Sequence, residues 1–356
     1  MQIDLIQEAR RQAEICNACR YCEGYCSVFP ALHRDRVFAD GDITQLANLC
    51  HNCQGCYYAC QYTAPHEFDL NLPKALAEVR RDSWESFAWP QPLARRFHRH
   101  GGAIALATVL GFAIMFLAIR SMNSTGGTGF YAALSHNAMV AIFLPAFVFP
   151  LVSLVFGLNK YWRSVGGGGI RLRHLTAAMA EVAMMKNLAG GHGDGCNFED
   201  EDRFSPARRH THQAIMYGFL LSFAATGAGT VLHYVFNLPA PYPFWSLPKL
   251  LGLSGGVLLV AGCGWMAALK WRSDRAIGDA SAWGGDFGFI ALLGFVALSG
   301  LGLYAFGETP AMGLILALHL GAVLSFFILT PFTKMAHGFY RLAALVRNAQ
   351  TQEARR

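Results

Sequence analysis

Six apolar runs, at about 102–120, 138–157, 212–236, 247–270, 286–306 and 311–336, are each long enough to cross a membrane as a helix. A hydrocarbon core of about 30 Å needs about 20 helical residues, and a backbone inside it must satisfy its own polar groups. Most of the chain therefore has one available architecture, a bundle of spanning helices. Hydrophobic residues make up 53% of the 356 and gather after Gly101, a distribution that excludes an ordinary soluble protein.

The formal charge of +6 would suggest nucleic acid in a soluble chain. Here the basic residues flank the apolar runs, so no nucleic-acid partner is expected. The segment before the first run, residues 158–211, the turn with Lys270, Arg272 and Arg275, and the tail with Arg341, Arg347, Arg355 and Arg356 are all basic. The alternate loops carry little beyond Arg120 and Lys249. The positive-inside rule then predicts a multi-pass protein of the cytoplasmic membrane with both termini cytoplasmic. The start, MQIDLIQEARRQAEIC, has no apolar h-region, so no secretory signal is expected before the first cysteines.

Eight of the ten cysteines lie between Cys16 and Cys60. In a reducing compartment that argues for metal over disulfides. They form two runs of one pattern, CxxCxxCxxxC: Cys16, Cys19, Cys22, Cys26 and Cys50, Cys53, Cys56, Cys60. Three cysteines at intervals of three let one tight loop supply three thiolates to a cubane, and in two-cluster ferredoxins the fourth comes from the other run. The expected sets are Cys16, Cys19, Cys22 and Cys60 on cluster 1, with Cys50, Cys53, Cys56 and Cys26 on cluster 2. Zinc sites draw on separated pairs of ligands, which this even stepping does not resemble. The ferredoxin pattern has proline directly after the fourth cysteine; here Pro30 and Pro65 come later, so uncrossed ligation stays open.

The expected fold is mostly α: a ferredoxin-like domain with two 4Fe-4S clusters over residues 1–75, an amphipathic interfacial connector over 76–101, a six-span haem-binding domain over 102–340 and a cytoplasmic tail over 341–356. In the connector, Trp84, Phe87, Trp89 and Phe97 alternate with arginines and are expected at headgroup level. The 54 residues from Leu158 to Thr211 read as a long loop, which is usually functional or disordered. Its glycines follow no expected strand, so a nucleotide cradle is not expected. Cys196 reads as an ordinary loop thiol and Cys263 as a packed small hydrophobe.

Histidine at the margin of a spanning helix is read first as functional. His212 and His233 bracket the third run, about 31 Å apart along a helix, and His319 and His337 bracket the sixth, about 27 Å apart. Opposite chain directions pair His212 with His337 on the inner side and His233 with His319 on the outer side. One or two b-type haems, each held by imidazoles from two facing helices, would follow. His210 competes with His212, about 200° away around the helix. Lys334, Tyr340 and Tyr234 lie beside these histidines and are the candidate quinone contacts, although such residues also anchor helix ends at the interface.

The segment HLGAVLSFFILTPFTKMAH, His319–His337, resembles the last haem-bearing helix of the nitrate reductase gamma subunit. Over nearly the whole chain, the paired cysteine runs, GDGCN at Gly193–Asn197, RRHTHQAIMYGFLLSFAAT from Arg208 and PYPFWSLPKLLG from Pro241 resemble the tricarballylate/citrate utilization protein B family. That resemblance implies a soluble FAD-dependent dehydrogenase of a tricarboxylic acid as donor and the quinone pool as acceptor. A different class, a self-contained reductase of heterodisulfide type, would want a further cysteine set or a flavin motif, and the sequence offers neither.

Overall fold

The computed structural model describes residues 4–122, 135–190, 195–197 and 203–354. Gly193 and Asp194 of GDGCN, and Arg355 and Arg356 of the tail, lie outside the described residues. The fold is mostly α-helical, as expected, with a cysteine-bearing head on the end of a bundle that includes six long apolar helices.

The head is built from short helices whose ends deliver the cysteines. Helix α1 (Leu5–Cys19) starts at Asp4, whose carboxylate accepts the Ile6 amide at 3.0 Å, and stops at Arg20 in the left-handed region. Its last turn carries Cys16 and Cys19. After α2 (Val28–Leu32), α3 (Asp40–Leu49) is fixed at its start by the Asp42 carboxylate on the Ala39 amide, 2.9 Å, and ends by presenting Cys50. The single turn α4 (Gly55–Tyr58) carries Cys56, and α5 (Leu72–Phe87) closes the head.

The inward faces of these helices, among them Ala13, Phe29, Ile43, Leu46 and Leu76, share one core with Tyr161, Tyr340 and Ala344 from the membrane helices. Trp84 is part of that core: its indole N–H donates to Asn48 at 2.8 Å, and only 8% of the residue is exposed. Phe97 is 1% exposed. The headgroup position expected for these two aromatics is thus overturned: Trp84 packs in the core shared by head and bundle, and Phe97 packs among bundle residues such as Ala105, Val109 and Phe289. Trp89, 45% exposed, is the aromatic of this stretch that stays open. Nor is the stretch one connector. It comprises α5, a break at Trp89-Pro90, and the first turns of the first long helix, α6 (Gln91–Met122), which kinks at His100.

The other membrane-length helices are α7 (His136–Ser164), α9 (Ala207–Tyr234), α10 (Leu247–Arg272), α11 (Trp283–Phe306) and the segment containing α12 (Met312–Leu329). Between α7 and α9 lies α8 (Leu172–Met184), followed by the hairpin β1 (Cys196–Asn197) and β2 (Phe204–Ser205). The expected long loop is therefore largely structured. Helix α8 is tied to the C-terminal helix α13 (Ala336–Glu353) by Glu353, which pairs with Arg171 at 2.9 Å and His174 at 2.6 Å.

The sixth run is not one straight helix. Helix α12 ends at Leu329, a tight turn spans Thr330–Phe332, Thr333 is extended, and α13 begins at Ala336. Pro331 accounts for the break, since it removes a donor and crowds the preceding turn. His319 and His337 consequently sit on different helices, and the separation expected along one continuous helix does not apply.

Close backbone contact between α9 and α10 depends on glycine. A Cβ added at Gly255 would lie 2.7 Å from the Ser222 nitrogen and 2.8 Å from the Gly218 carbonyl oxygen. Small residues of this kind are how spanning helices approach closely. Gly255→Leu is expected to lower stability by about 3 kcal/mol, the upper part of the range for an overpacked contact. Thermal denaturation of detergent-solubilised protein measures it, and an unchanged midpoint would show that the helices can separate freely.

Candidate functional site

The cysteines fall into two groups that cut across the sequence runs. Burial first, and then negative charge at Cys60, Cys22 and Cys19, push the Cys16 thiol up to about 12. Burial, then Cys60 and Cys19, push Cys22 up to about 12 as well. A cavity of about 230 Å³ opens among Cys16, Cys19, Cys22 and Cys60, with Cys56 on its wall. In the second group, burial and then Cys53 and Cys50 raise Cys26, and burial, then Cys53, Cys50, Cys26 and last Cys22 of the first group, raise Cys56. Cys26 is thus among the cysteines of the later run, and Cys60 among those of the earlier one.

Four mutually repelling thiolates in a small space need positive charge at their centre, which is the chemistry an iron–sulfur cluster supplies. Among the described residues no three His, Cys, Asp or Glu side chains converge on one point that could hold a single metal ion. The first group surrounds a cavity instead. Backbone donors point at the sulfurs: the Asn52 amide lies 3.4 Å from Cys50 Sγ and the Tyr62 amide 3.3 Å from Cys60 Sγ. Asn52 and Gln54 hold positive φ angles of 52° and 65°, which curl the backbone round the sulfur ligands and turn N–H groups inward. These donor sets fit two clusters.

Exposure differs between the groups. Cys19 is exposed and Tyr21 beside it is 70% exposed, whereas Cys50 is buried against the bundle. Cys196 is also buried, 1% exposed, and its thiol hydrogen-bonds to Cys53. That bond, opposed by burial and aided by the Gly55 amide and Arg208, draws the Cys53 thiol downward. The ordinary loop thiol expected at Cys196 is instead a neighbour of a candidate ligand, brought there by the β1–β2 hairpin.

Beyond Cys50 the structure leads into the bundle. The Arg341 guanidinium donates to the Leu49 carbonyl at 3.1 Å, to the Cys50 carbonyl at 2.5 Å and to the His51 imidazole, 2.7 Å to Nε2. Burial, then the charge of Arg341 and His212, hold His51 well below the usual imidazole range, so its ring is neutral at physiological pH. Next come His212 and His337, with ring centroids 5.7 Å apart and planes at 62°. His337 Nδ1 bonds to the Lys334 carbonyl, leaving Nε2 for a ligand, while His212 Nδ1 is buried with no hydrogen-bond partner. Metal-bound imidazoles commonly anchor their second nitrogen on a carbonyl, so His337, with His212 facing it, fits axial ligation of a haem. His210, its competitor in the sequence, is exposed.

The outer pair is not brought together. His233 stacks on His136, centroids 4.3 Å apart, and Tyr234 bonds through its hydroxyl to His136 Nε2 at 2.8 Å. His319 lies against α11 instead, its Nδ1 3.1 Å from the Ser299 hydroxyl. The other two candidates for quinone contact are engaged within the protein. Lys334 Nζ lies 3.0 Å from Asp286, which Lys270 also approaches at 2.8 Å, and Tyr340 is 2% exposed beneath Trp84.

Comparison with known proteins fits this layout. The family model for the citrate utilization protein B Fer4-like domain matches residues 9–85, spanning both cysteine runs, and the model for citrate utilization protein B matches residues 97–356. A curated protein of Escherichia coli, citrate utilization protein B, is 40% identical over 347 residues, covering 96% of this chain and 91% of its own length. No solved structure matches the chain. With both family models matched in order along its length, the chain belongs to the citrate utilization protein B family.

Proposed function

We propose that this chain carries electrons from a soluble dehydrogenase into the membrane, through two 4Fe-4S clusters and b-type haem, to the quinone pool. The observation that carries the reading is the run of groups from the first cysteine quartet, where Cys19 is exposed, through the second, where Cys50 is buried, and Arg341 with His51, to His212 and His337. The donor is a FAD-dependent dehydrogenase of tricarballylate or a related tricarboxylate, a class implied by the resemblance; the name of the Escherichia coli relative speaks of citrate, itself a tricarboxylate. The head and both termini face the cytoplasm, where the loops are basic.

Cys16, Cys19, Cys22 and Cys60 hold cluster 1 at the surface, and Cys26, Cys50, Cys53 and Cys56 hold cluster 2 against the bundle. The clusters and haem supply one-electron transfer between a flavin and a quinone, each of which exchanges two electrons. His212 and His337 hold the inner haem. His319, with Nδ1 fixed on Ser299, holds a second haem nearer the outer side; its expected partner His233 stacks on His136, so the outer centre rests on one histidine. Tyr234, 59% exposed and bonded to His136, is the quinone contact that remains open to lipid.

The test is a reduced-minus-oxidised optical spectrum of the purified protein together with iron and acid-labile sulfide counts. A b-type band with about eight cluster irons per chain is expected for two cubanes. Absence of the band would sink the haem assignment, and absence of sulfide would sink the clusters.

A further inference from the structure

The two quartets differ in the charges around them. Among the described residues no guanidinium donates to the carbonyl of Cys16, Cys19, Cys22 or Cys60. Arg20, next to Cys19, is exposed and turns its side chain back to the Asn17 carbonyl at 3.1 Å. Cys50 stands between two guanidiniums: Arg80 donates to its carbonyl at 2.6 Å and Arg341 at 2.5 Å. Arg80, on α5, is 8% exposed and also donates to the Ala47 carbonyl at 3.3 Å. Arg341, on α13, is partly buried and reaches the same loop from the opposite side.

Among the described residues neither arginine forms an ion pair with a carboxylate. A guanidinium removed from water with no counter-charge is costly. Carbonyl oxygens solvate these two but do not neutralise them. The negative charge within reach is that of the sulfur ligands, since both guanidiniums lie on the backbone of Cys50 itself.

We infer that Arg80 and Arg341 raise the reduction potential of cluster 2 above that of cluster 1, and so direct electrons from the exposed cluster toward the membrane. The inference rests on the two-cluster reading above. Each cluster with four thiolates is an anion that gains one more negative charge on reduction, and neighbouring cations and hydrogen bonds favour the reduced form. In the transfer itself one electron leaves reduced cluster 1, which is oxidised, and enters cluster 2, which is reduced. No bond is made or broken, and the next electron comes from the reduced flavin of the donor dehydrogenase. Both arginines are positioning residues, since their hydrogen bonds run to the backbone around Cys50.

The experiment is a potentiometric titration of the purified full-length protein, followed by electron paramagnetic resonance, on the wild type, Arg341→Gln, Arg80→Gln and the conservative Arg341→Lys and Arg80→Lys. Cys16→Ser identifies the cluster 1 signal by its loss. In the wild type, cluster 1 is expected to have the lower potential. Each glutamine variant should make cluster 2 about tenfold harder to reduce, about 59 mV for one electron, and leave cluster 1 unmoved. The lysine variants keep the charge and should stay near wild type, and they carry the test if a glutamine variant fails to assemble. Unmoved midpoints in the glutamine variants at wild-type iron and sulfide content would overturn the inference, as would a wild type in which cluster 1 has the higher potential. Wild-type protein without iron or sulfide would instead show that the two-cluster reading itself had failed.

Discussion

Replacing His337 with alanine is expected to remove the haem next to cluster 2 and to lower reoxidation of the reduced clusters by added quinone at least about a hundredfold, ~2.7 kcal/mol on the rate-limiting barrier. Iron and sulfide should stay at wild-type levels. The reason is positional: among the candidate axial histidines, His337 faces His212 across 5.7 Å, and Arg341, four residues further along α13, is already on the Cys50 carbonyl. His212→Ala should lose the same absorbance, and the double variant should lose no more than either single one, because both imidazoles serve one iron. His319→Ala should remove a different haem, so the pair His212→Ala with His319→Ala should lose twice as much. Equal and additive losses from His212 and His337 would mean that they bind separate centres. The readout is haem content by pyridine haemochrome, with stopped-flow absorbance for the clusters.

Length and polarity were enough to read the six helices, since each apolar run has few ways to satisfy its backbone outside water. The cysteine spacing suggests crossed ligand sets, because a loop that supplies three thiolates must find its fourth elsewhere, but spacing leaves the uncrossed sets open. The break inside the sixth run is not legible in hydropathy, although Pro331 marks its place. Its flanking residues are apolar enough that hydropathy continues through the break, and hydropathy does not register a lost amide. The burial of Trp84 and Phe97 is hidden for a related reason: an aromatic among arginines has one pattern whether it meets headgroups or a protein core. Arg341 on Cys50 could not be read at all. The two are 291 residues apart, and only the docking of α13 beneath the head joins them. Cys196 was hidden in the same way, its thiol reaching Cys53 through a hairpin that follows from no periodicity in the sequence.

The largest loss should come from the cysteines, and its pattern distinguishes crossed from uncrossed ligation. Cys16→Ser with Cys60→Ser removes two thiolates from one cluster if ligation is crossed, so about half of the iron and sulfide should remain and one paramagnetic signal should persist unchanged. Cys16→Ser with Cys26→Ser removes one thiolate from each, and both clusters should be lost or badly depleted. Uncrossed ligation reverses the two outcomes, because Cys16 and Cys26 would then share a cluster. The structure favours the first pattern: Cys60 acts on Cys16 and Cys22, whereas Cys26 is influenced by Cys53 and Cys50. The consequences for folding should differ as well. Cysteines of both quartets touch the core that joins head to bundle, but cluster 1 borders the cavity, while Cys50 of the second quartet is the cysteine buried within that core. Metal binding that brings distant ligands together is folding free energy, so losing cluster 2 should loosen the junction, and losing cluster 1 should leave it docked. Limited proteolysis between the head and α6 would report this: rapid cleavage is expected for Cys26→Ser with Cys50→Ser, and wild-type resistance for Cys16→Ser with Cys60→Ser.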